Sequence, residues 1–168
     1  LILGKGKISL KESNNKIVTQ SELKTRVIKW QSDGEKVVFS NGCFDILHLG
    51  HIDYLEKARA LGTRLVIGLN ADISVKILKG ENRPINNEEA RARMLAALQF
   101  VDGVTVFNEE TPEKLIEYLL PDILVKGKDY SIENIVGAQT VLNNGGEVKT
   151  INLVDGYSTT TLIEKIKN

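Results

Sequence analysis

This chain has a single cysteine, no net charge and no long apolar stretch. Its 168 residues include one cysteine, Cys43, so no disulfide can form within the chain. No apolar run approaches the roughly 20 residues of a membrane span, and the first residues lack a signal-peptide pattern. Basic and acidic residues number 22 each, so no overall charge favours nucleic acid or an acidic membrane. We predict a cytoplasmic protein that binds small molecules, with no nucleic-acid or membrane partner.

The length is that of one domain with a sizeable core. Residues 1–15 are rich in lysine, glycine, serine and asparagine, and we expect them to form a flexible N-terminal arm. Residues 16–168 are expected to fold as a single domain. At the start of that domain, Thr19 and Glu22 make a capping-box pattern, which predicts a helix that ends near Asp33.

Short apolar runs alternate with helical patterns along the rest of the chain. The predicted strands are 36–40, 64–69, 103–107, 122–126 and 147–153. The predicted helices are 49–61, 87–99, 112–120, 132–143 and 158–167. Buried-type strands that alternate with helices indicate a parallel sheet covered on both faces. We therefore predict an α/β, Rossmann-like doubly wound parallel sheet of about five strands, with ligands bound beyond the carboxyl ends of the strands.

One segment, residues 37–51, carries the strongest chemical signal. A buried-type strand runs into a small-residue turn, and His48 and His51 then open a helix with Gly50 between them. Free backbone N–H groups and the helix dipole attract anions at such a helix start. The imidazoles add hydrogen bonds or positive charge, and Gly50 leaves the backbone bare for a phosphate. A transition-metal site is the weaker interpretation, because the chain has no third histidine.

The turn and helix start, residues 42–51, resemble the first signature of the cytidylyltransferase-like nucleotidyltransferases, G-x-F-D-x-x-H-x-G-H. Residues 156–160, Gly-Tyr-Ser-Thr-Thr, resemble the Ser-Thr cluster that opens the last helix of that family. Three further segments fall between them in the family's order: 68–72, 79–84 and 125–130. As a set, these segments most resemble the branch of the family that adenylylates heptose phosphates.

That resemblance implies transfer of AMP from ATP to heptose 1-phosphate, with ADP-heptose and pyrophosphate as products, on a route to lipopolysaccharide or another heptose-containing glycan. Mg²⁺ is expected to accompany ATP, and the family leads us to expect a homo-oligomer. The alternative is a cytidylyl- or guanylyltransferase acting on another sugar or polyol phosphate. A nucleotide-binding regulatory module without turnover is the third hypothesis. Leu153 stands where the cytidylyltransferases usually carry arginine, which favours the heptose branch; Tyr157 stands where heptose enzymes often have arginine.

The resemblance also assigns roles to residues. His48, His51 and Lys126 would be catalytic, because they would hold phosphate oxygens and stabilise transition-state charge. The nucleotide-binding set adds backbone groups of Ser40, Asn41, Gly42, Cys43, Phe44 and Gly50. It also adds the hydroxyls of Ser158, Thr159 and Thr160 at a second helix N-terminus. For the Ser-Thr cluster, the alternative is an ordinary helix N-cap.

A second group of residues is assigned to the acceptor substrate. Its members are Asn70, Asp72, Arg83 and Arg91. The first two could instead be turn formers. Asp45 would either help to bind Mg²⁺ or hold the turn, and the residues at 129 and 130 would order their loop or touch the nucleotide.

Overall fold

Five parallel strands form one sheet in the computed structural model, which describes residues 13–128, 132–154 and 156–167. The strands are β1 Val37–Gly42, β2 Arg64–Asn70, β3 Gly103–Phe107, β4 Ile123–Gly127 and β5 Glu147–Ile151. Their order across the sheet is β3-β2-β1-β4-β5. The chain thus winds outward from β1 to one side and then from β4 to the other. The predicted doubly wound parallel sheet is confirmed.

Helices cover both faces of the sheet. They are α1 Gln20–Ser32, α2 Leu49–Arg59, α3 Asp72–Lys79, α4 Glu88–Ala97, α5 Glu113–Leu119, α6 Ala138–Asn143 and α7 Thr159–Lys167, with a 3-10 turn at Ile132–Asn134. One face packs on α2 and α4, around residues such as Leu55 and Leu95. The other packs on α1, α5 and α6, around residues such as Leu23, Phe39 and Ile116. Strands buried from both sides explain the continuous apolar runs in the sequence.

The helix starts follow the capping chemistry in the sequence. The Thr19 hydroxyl accepts a hydrogen bond from the Glu22 N–H at 3.2 Å, and the Thr19 N–H donates to the Glu22 carboxylate at 2.9 Å. The Asn87 side chain caps α4 by accepting from the Ala90 N–H at 2.9 Å. These caps satisfy backbone donors that no helical carbonyl can reach.

Two elements differ from the prediction. The helix expected at 132–143 is split, because Gly137 adopts a left-handed φ of 82° between the 3-10 turn and α6. A Cβ on Gly137 would lie 2.6 Å from Ile116 Cδ1, so a side chain has no room there. Helix α3 was missed. Its exposed face carries Ile73 and Ile77, each 62% exposed, so its apolar pattern does not mark the side that faces the core.

The N-terminal side of the domain lies along the edge of the sheet. Ile17 forms a parallel bridge with Val104, and the Val104 N–H donates to the Lys16 carbonyl at 2.8 Å. Residues 1–12 of the predicted arm lie outside the described residues, so the division at residue 15 stays a prediction. Within the described ranges, no helix is long and apolar enough to cross a membrane.

Candidate nucleotide-binding site

The first signature lies at the point where the chain reverses its winding direction. β1 pairs with β4 through Val38 with Ile123 and Phe39 with Leu124. This pairing ends there, and Lys126 lies two residues further along, near the carboxyl end of β4. In open α/β sheets, ligands bind in the crevice that opens at this switch point. The predicted location of the site and the observed topology therefore agree.

A tight turn after β1 aims an aromatic ring at the histidines. Phe44 has a φ of 45°, unusual for a residue with a side chain, and is 6% exposed. Its ring meets the edge of His51 with centroids 5.2 Å apart. Gly42 leaves room for this arrangement, because a Cβ there would lie 3.0 Å from the Phe44 ring. The turn thus packs an apolar ring against one of the two histidines, His51.

His48 and His51 stack on one another. Their ring centroids are 3.8 Å apart with an interplanar angle of 21°. Burial lowers the pKa of His51 to about 4, with a further lowering from neighbouring His48 and an opposing effect of the Ile46 backbone. Burial also lowers the pKa of His48. At neutral pH both rings are therefore uncharged in the free protein, and each has one donor and one acceptor nitrogen, with His51 also bonded to the Ile46 backbone.

Three buried polar atoms in residues 41–51 have no hydrogen-bond partner among the described residues. They are the Nδ1 atoms of His48 and His51 and the Oδ1 atom of Asn41. Three further atoms without a hydrogen-bond partner, on Arg59, Arg64 and Thr105, lie elsewhere in the fold. Buried polar groups in native proteins are nearly always paired, so three unpaired atoms within one short segment indicate a candidate ligand site. A polar ligand with both donors and acceptors would match this set.

The histidine burial predicts a specific pH dependence of stability. The unfolded chain protonates His51 near pH 6.5, whereas the folded protein resists until about pH 4. The unfolded state binds more protons within this window, so stability should fall as the pH falls through it. The loss of unfolding free energy should be complete below the folded-state pKa of His51 and should amount to about 3 kcal/mol. Urea unfolding between pH 4 and 7 measures it. His51→Asn should flatten the profile, and equal slopes for both proteins would refute the assignment.

Gly50 brings the two signatures into contact. A Cβ on Gly50 would lie 3.1 Å from His48 Nδ1 and 3.2 Å from Tyr157 Cβ. The rings of His48 and Tyr157 are 6.4 Å apart between centroids. The expectation that Gly50 keeps its surface bare for a phosphate therefore needs correction. Its missing side chain makes room for a histidine and for the residue that precedes the Ser-Thr cluster.

The Ser-Thr cluster begins α7. Ser158 Oγ accepts from the Thr161 N–H at 3.0 Å and lies 2.8 Å from Thr161 Oγ1. This is the ordinary N-cap that the sequence left open as the alternative for this cluster. Thr159 and Thr160 follow in the first turn, where backbone N–H groups lack helical partners and suit an anion. The cap does not prevent phosphate binding, and the predicted nucleotide contacts of all three residues stay predictions.

The side chains of Ser40 and Cys43 do not serve as ligand groups, and the nucleotide contacts expected from their backbone stay predictions. Ser40 is fully buried, and its hydroxyl lies 2.9 Å from the Tyr54 hydroxyl, which donates to the Val125 carbonyl at 3.0 Å. Its side chain therefore ties β1 to β4 and does not reach the crevice. Cys43 is partly buried, and burial raises the pKa of its thiol, so the sulfur stays protonated. This agrees with the interpretation of Cys43 as a turn residue that is not a nucleophile.

Arg91, expected to bind the acceptor, is a fully buried framework residue. Its Nη1 donates to the carbonyls of Cys43 at 2.6 Å and Asn70 at 2.8 Å. Its Nε donates to the Asn86 carbonyl at 2.9 Å, and Nη2 donates to Asp72 Oδ1 at 2.7 Å. These bonds hold the ends of β1 and β2 together and use most of the guanidinium N–H groups. The geometry thus opposes a direct substrate contact.

Two other polar residues, at the end of β2 and the start of α3, also serve this framework. Asn70 is 3% exposed, and its amide donates to Ser74 Oγ at 3.4 Å. The Asp72 N–H donates to Glu88 Oε2 at 2.8 Å, while its partly exposed carboxylate pairs with Arg91. Both residues lie at the correct edge of the sheet, but their side chains connect α3 to the rest of the fold.

Asp45 holds a distant segment against the signature turn. Its Oδ1 accepts from the N–H groups of Ile85 at 2.7 Å and Asn86 at 2.9 Å, and its Oδ2 accepts from Arg83 Nε at 2.5 Å. The Asn86 side-chain amide also donates to the Asp45 carbonyl at 2.7 Å. Burial acts to raise the pKa of Asp45, but these donors outweigh it, so the pKa lies below its ordinary value.

The arrangement favours the turn-holding interpretation of Asp45 over the metal one. Both carboxylate oxygens are occupied by protein donors, and the side chain is fully buried. Among the described residues, no group of three or more His, Cys, Asp or Glu side chains could hold a metal ion. Asn86 was missed as a site residue because its partner is 41 residues away in sequence and no local pattern marks it.

Lys126 lies near the end of β4 and is partly buried, so a side chain there can reach the crevice. The adjacent residues 129 and 130, expected to order the loop or touch the nucleotide, lie outside the described residues. The doubly wound sheet, the helix start at its switch point and the unpaired Nδ1 atoms of the histidines are together typical of α/β proteins that bind phosphate-containing ligands.

Comparison with known proteins identifies the family. Residues 39–165 match the family described as Cytidylyltransferase-like, so the chain belongs to that family. It is 54% identical over 153 residues to the bifunctional protein HldE of Marinomonas sp. (strain MWYL1) and 56% identical over 151 residues to that of Haemophilus influenzae (strain PittEE). These matches cover 91% and 90% of this chain but 32% of each relative, so the chain spans about a third of their length.

A solved structure is also similar. It is the crystal structure of the lipopolysaccharide core biosynthesis protein from Thermoplasma volcanium GSS1, with a TM-score of 0.58 and 31% sequence identity. The match covers 74% of this chain and all of that one. The resemblance first noted in the signature residues is thus confirmed at the level of the family.

Proposed function

We propose that this chain is a heptose 1-phosphate adenylyltransferase. A phosphate oxygen of the sugar 1-phosphate attacks the α-phosphorus of ATP, and the bond from that phosphorus to the bridging oxygen of pyrophosphate breaks. ADP-heptose forms, and pyrophosphate leaves with the bonding electrons. The stacked His48–His51 pair with its unpaired buried nitrogens carries the proposal. The family membership and the identity of more than half to proteins named HldE support the choice of substrates.

The reaction needs no protein nucleophile, so the residues act through position and charge. A neutral imidazole has one N–H to donate, and the N–H of His51 is engaged by the Ile46 backbone, so His51 donates to a phosphate oxygen once it is protonated. The negative charge of a bound triphosphate favours protonation, so binding should raise the pKa of His51 from about 4. The first turn of α7 and Lys126 would add donors and positive charge as the leaving group develops charge.

Mg²⁺ is part of this proposal because it binds with ATP. Most of its ligands would be phosphate oxygens and water, as is usual for this ion. Asp45 does not fit the role, since both its oxygens accept bonds from the protein. Assembly into a homo-oligomer and a cytoplasmic location stay predictions.

Pyrophosphate release tests the proposed function directly. We expect release when heptose 1-phosphate and Mg²⁺ are supplied with ATP, and little release with CTP or GTP. Release with CTP or GTP instead would favour the cytidylyl- or guanylyltransferase alternative. Nucleotide binding without release under any of these conditions would point to a regulatory module.

Lys126→Ala should weaken substrate binding or turnover by roughly tenfold or more, the scale of one lost charged hydrogen bond. Steady-state kinetics with both substrates varied will measure the change. Lys128→Ala is the matched control, because it removes an exposed lysine two residues away. Unchanged kinetics for Lys126→Ala would place its side chain outside the site.

A further inference from the structure

Arg83 is held in a way that leaves most of its guanidinium available. The Asp45 carboxylate accepts from its Nε at 2.5 Å, and the Arg83 side chain is 15% exposed. Among the described residues, no hydrogen bond is formed by its two terminal nitrogens, which carry four of the five guanidinium N–H groups. Because the group is planar, fixing Nε also fixes the plane in which the terminal nitrogens lie. Such a fork is suited to two parallel bonds with a phosphate.

Arg83 and the start of α7 contact different parts of the signature: Arg83 bonds to Asp45 in the turn, whereas Tyr157, just before α7, lies against Gly50 in α2. Arg83 follows β2 and α3, whereas α7 follows β5, and β1 lies between β2 and β4 in the sheet. In an in-line displacement, the attacking and leaving oxygens lie on opposite sides of the reacting phosphorus. If α7 and the histidines hold the triphosphate, the acceptor must approach from the β2 side.

From this arrangement we propose that Arg83 binds the phosphate of the acceptor sugar and that Asp45 is the positioning residue that orients its guanidinium. The inference rests on the proposed function for the identity of the acceptor. Asp45 acts through Arg83 and does not touch the substrate or a metal ion. Its bonds to Ile85 and Asn86 keep the segment that carries Arg83 against the turn.

Asp45→Asn can separate positioning from folding. The amide oxygen can still accept from the Ile85 and Asn86 N–H groups, which both bond to Oδ1. The amide NH₂ then faces Arg83 Nε. Because both groups are donors, their hydrogen bond cannot form, and the guanidinium loses its orientation. Arg83→Gln removes the fork itself, and Arg83→Lys keeps the charge but not the planar geometry. Circular dichroism establishes that each variant is folded.

The primary measurement is calorimetric binding of heptose 1-phosphate, with KM for both substrates and the Mg²⁺ dependence of the rate alongside it. Arg83→Gln should weaken acceptor binding about tenfold or more, the scale of one lost charged hydrogen bond. Asp45→Asn should act in the same direction, and the double variant should bind no worse than Arg83→Gln alone. Arg83→Lys should not restore binding. The KM for ATP and the Mg²⁺ requirement should stay within about twofold, because neither residue contacts the nucleotide or the ion.

Several results would overturn the inference. Additive effects in the double variant would show that Asp45 does not act through Arg83. A raised Mg²⁺ requirement in Asp45→Asn would indicate that Asp45 is a metal ligand. A raised KM for ATP in Arg83→Gln would move this arginine to the nucleotide. Asp33→Asn is the control, since it removes a carboxylate from the exposed Lys29–Asp33 pair.

The outcome stays distinguishable from failure of the proposed function. If the unmodified protein releases no pyrophosphate with any nucleotide, the proposed function fails. The anion site is then judged by calorimetry with heptose 1-phosphate and with inorganic phosphate. Binding that is lost in Arg83→Gln would support the site, and equal binding or none in both proteins would overturn it.

Discussion

Replacing His51 by alanine is expected to reduce turnover by on the order of 100-fold or more, the scale observed when one charge-stabilising donor is removed. The ring lies between His48 and Phe44, and its buried Nδ1 meets no protein partner among the described residues. Its loss should therefore remove a group that stabilises charge on the reacting phosphates, in addition to the packing between the two rings. Steady-state pyrophosphate release with ATP and heptose 1-phosphate will measure the effect.

The fold of the His51→Ala protein must be intact for this comparison. Equilibrium unfolding near neutral pH provides that check, and we expect a cooperative transition with some loss of stability, because the ring packs between His48 and Phe44. His48→Ala provides a second test of the same pair and should also reduce turnover. Turnover within threefold of the unmodified protein for His51→Ala would remove His51 from the proposed mechanism.

Replacing Arg91 by methionine should produce the largest loss of stability. Methionine fills similar space but leaves the carbonyls of Cys43, Asn70 and Asn86 without their donor. It also leaves the Asp72 carboxylate without its cation. Breaking a buried charged network in this way typically costs about 3–5 kcal/mol. Thermal unfolding should then occur roughly 8–15 °C lower.

Arg93→Met is the control on the same helix. Arg93 donates to the Asn14 side chain near the surface, and loss of such an exposed contact should cost less than about 1 kcal/mol. A result in which Arg91→Met is as stable as the unmodified protein but binds the acceptor poorly would contradict the framework role. Such a result would support the direct contact between Arg91 and the substrate that the sequence predicts.

The architecture could be predicted because each strand and most helices carry a local signal. Apolar runs mark the five strands, and capping residues such as Thr19 and Asn87 mark helix starts. Helix α3 carries a misleading signal, since Ile73 and Ile77 point to solvent. The break at Gly137 depends on a close approach to Ile116, which no local pattern contains.

In the candidate site, too, the sequence predicts the local motifs but not the contacts between distant residues. The histidine pair and the Ser-Thr cluster are contiguous motifs, so the sequence predicts them. The network around Asp45 joins positions about 40 residues apart, and only the folded chain shows that its carboxylate faces Asn86. Similarly, Ser40 and Arg91 carry polar groups that suggest ligand binding, while their burial commits those groups to protein partners.

The contact between Gly50, His48 and Tyr157 also separates the stability of the sheet from the completeness of the site. Neither hydrophobic core includes a residue of α7 among its described members, so the packing of the sheet does not depend on that helix. The surroundings of His48, however, include Tyr157, which lies just before α7. A substitution that loosens α7 should therefore disturb the histidine environment while the sheet stays folded.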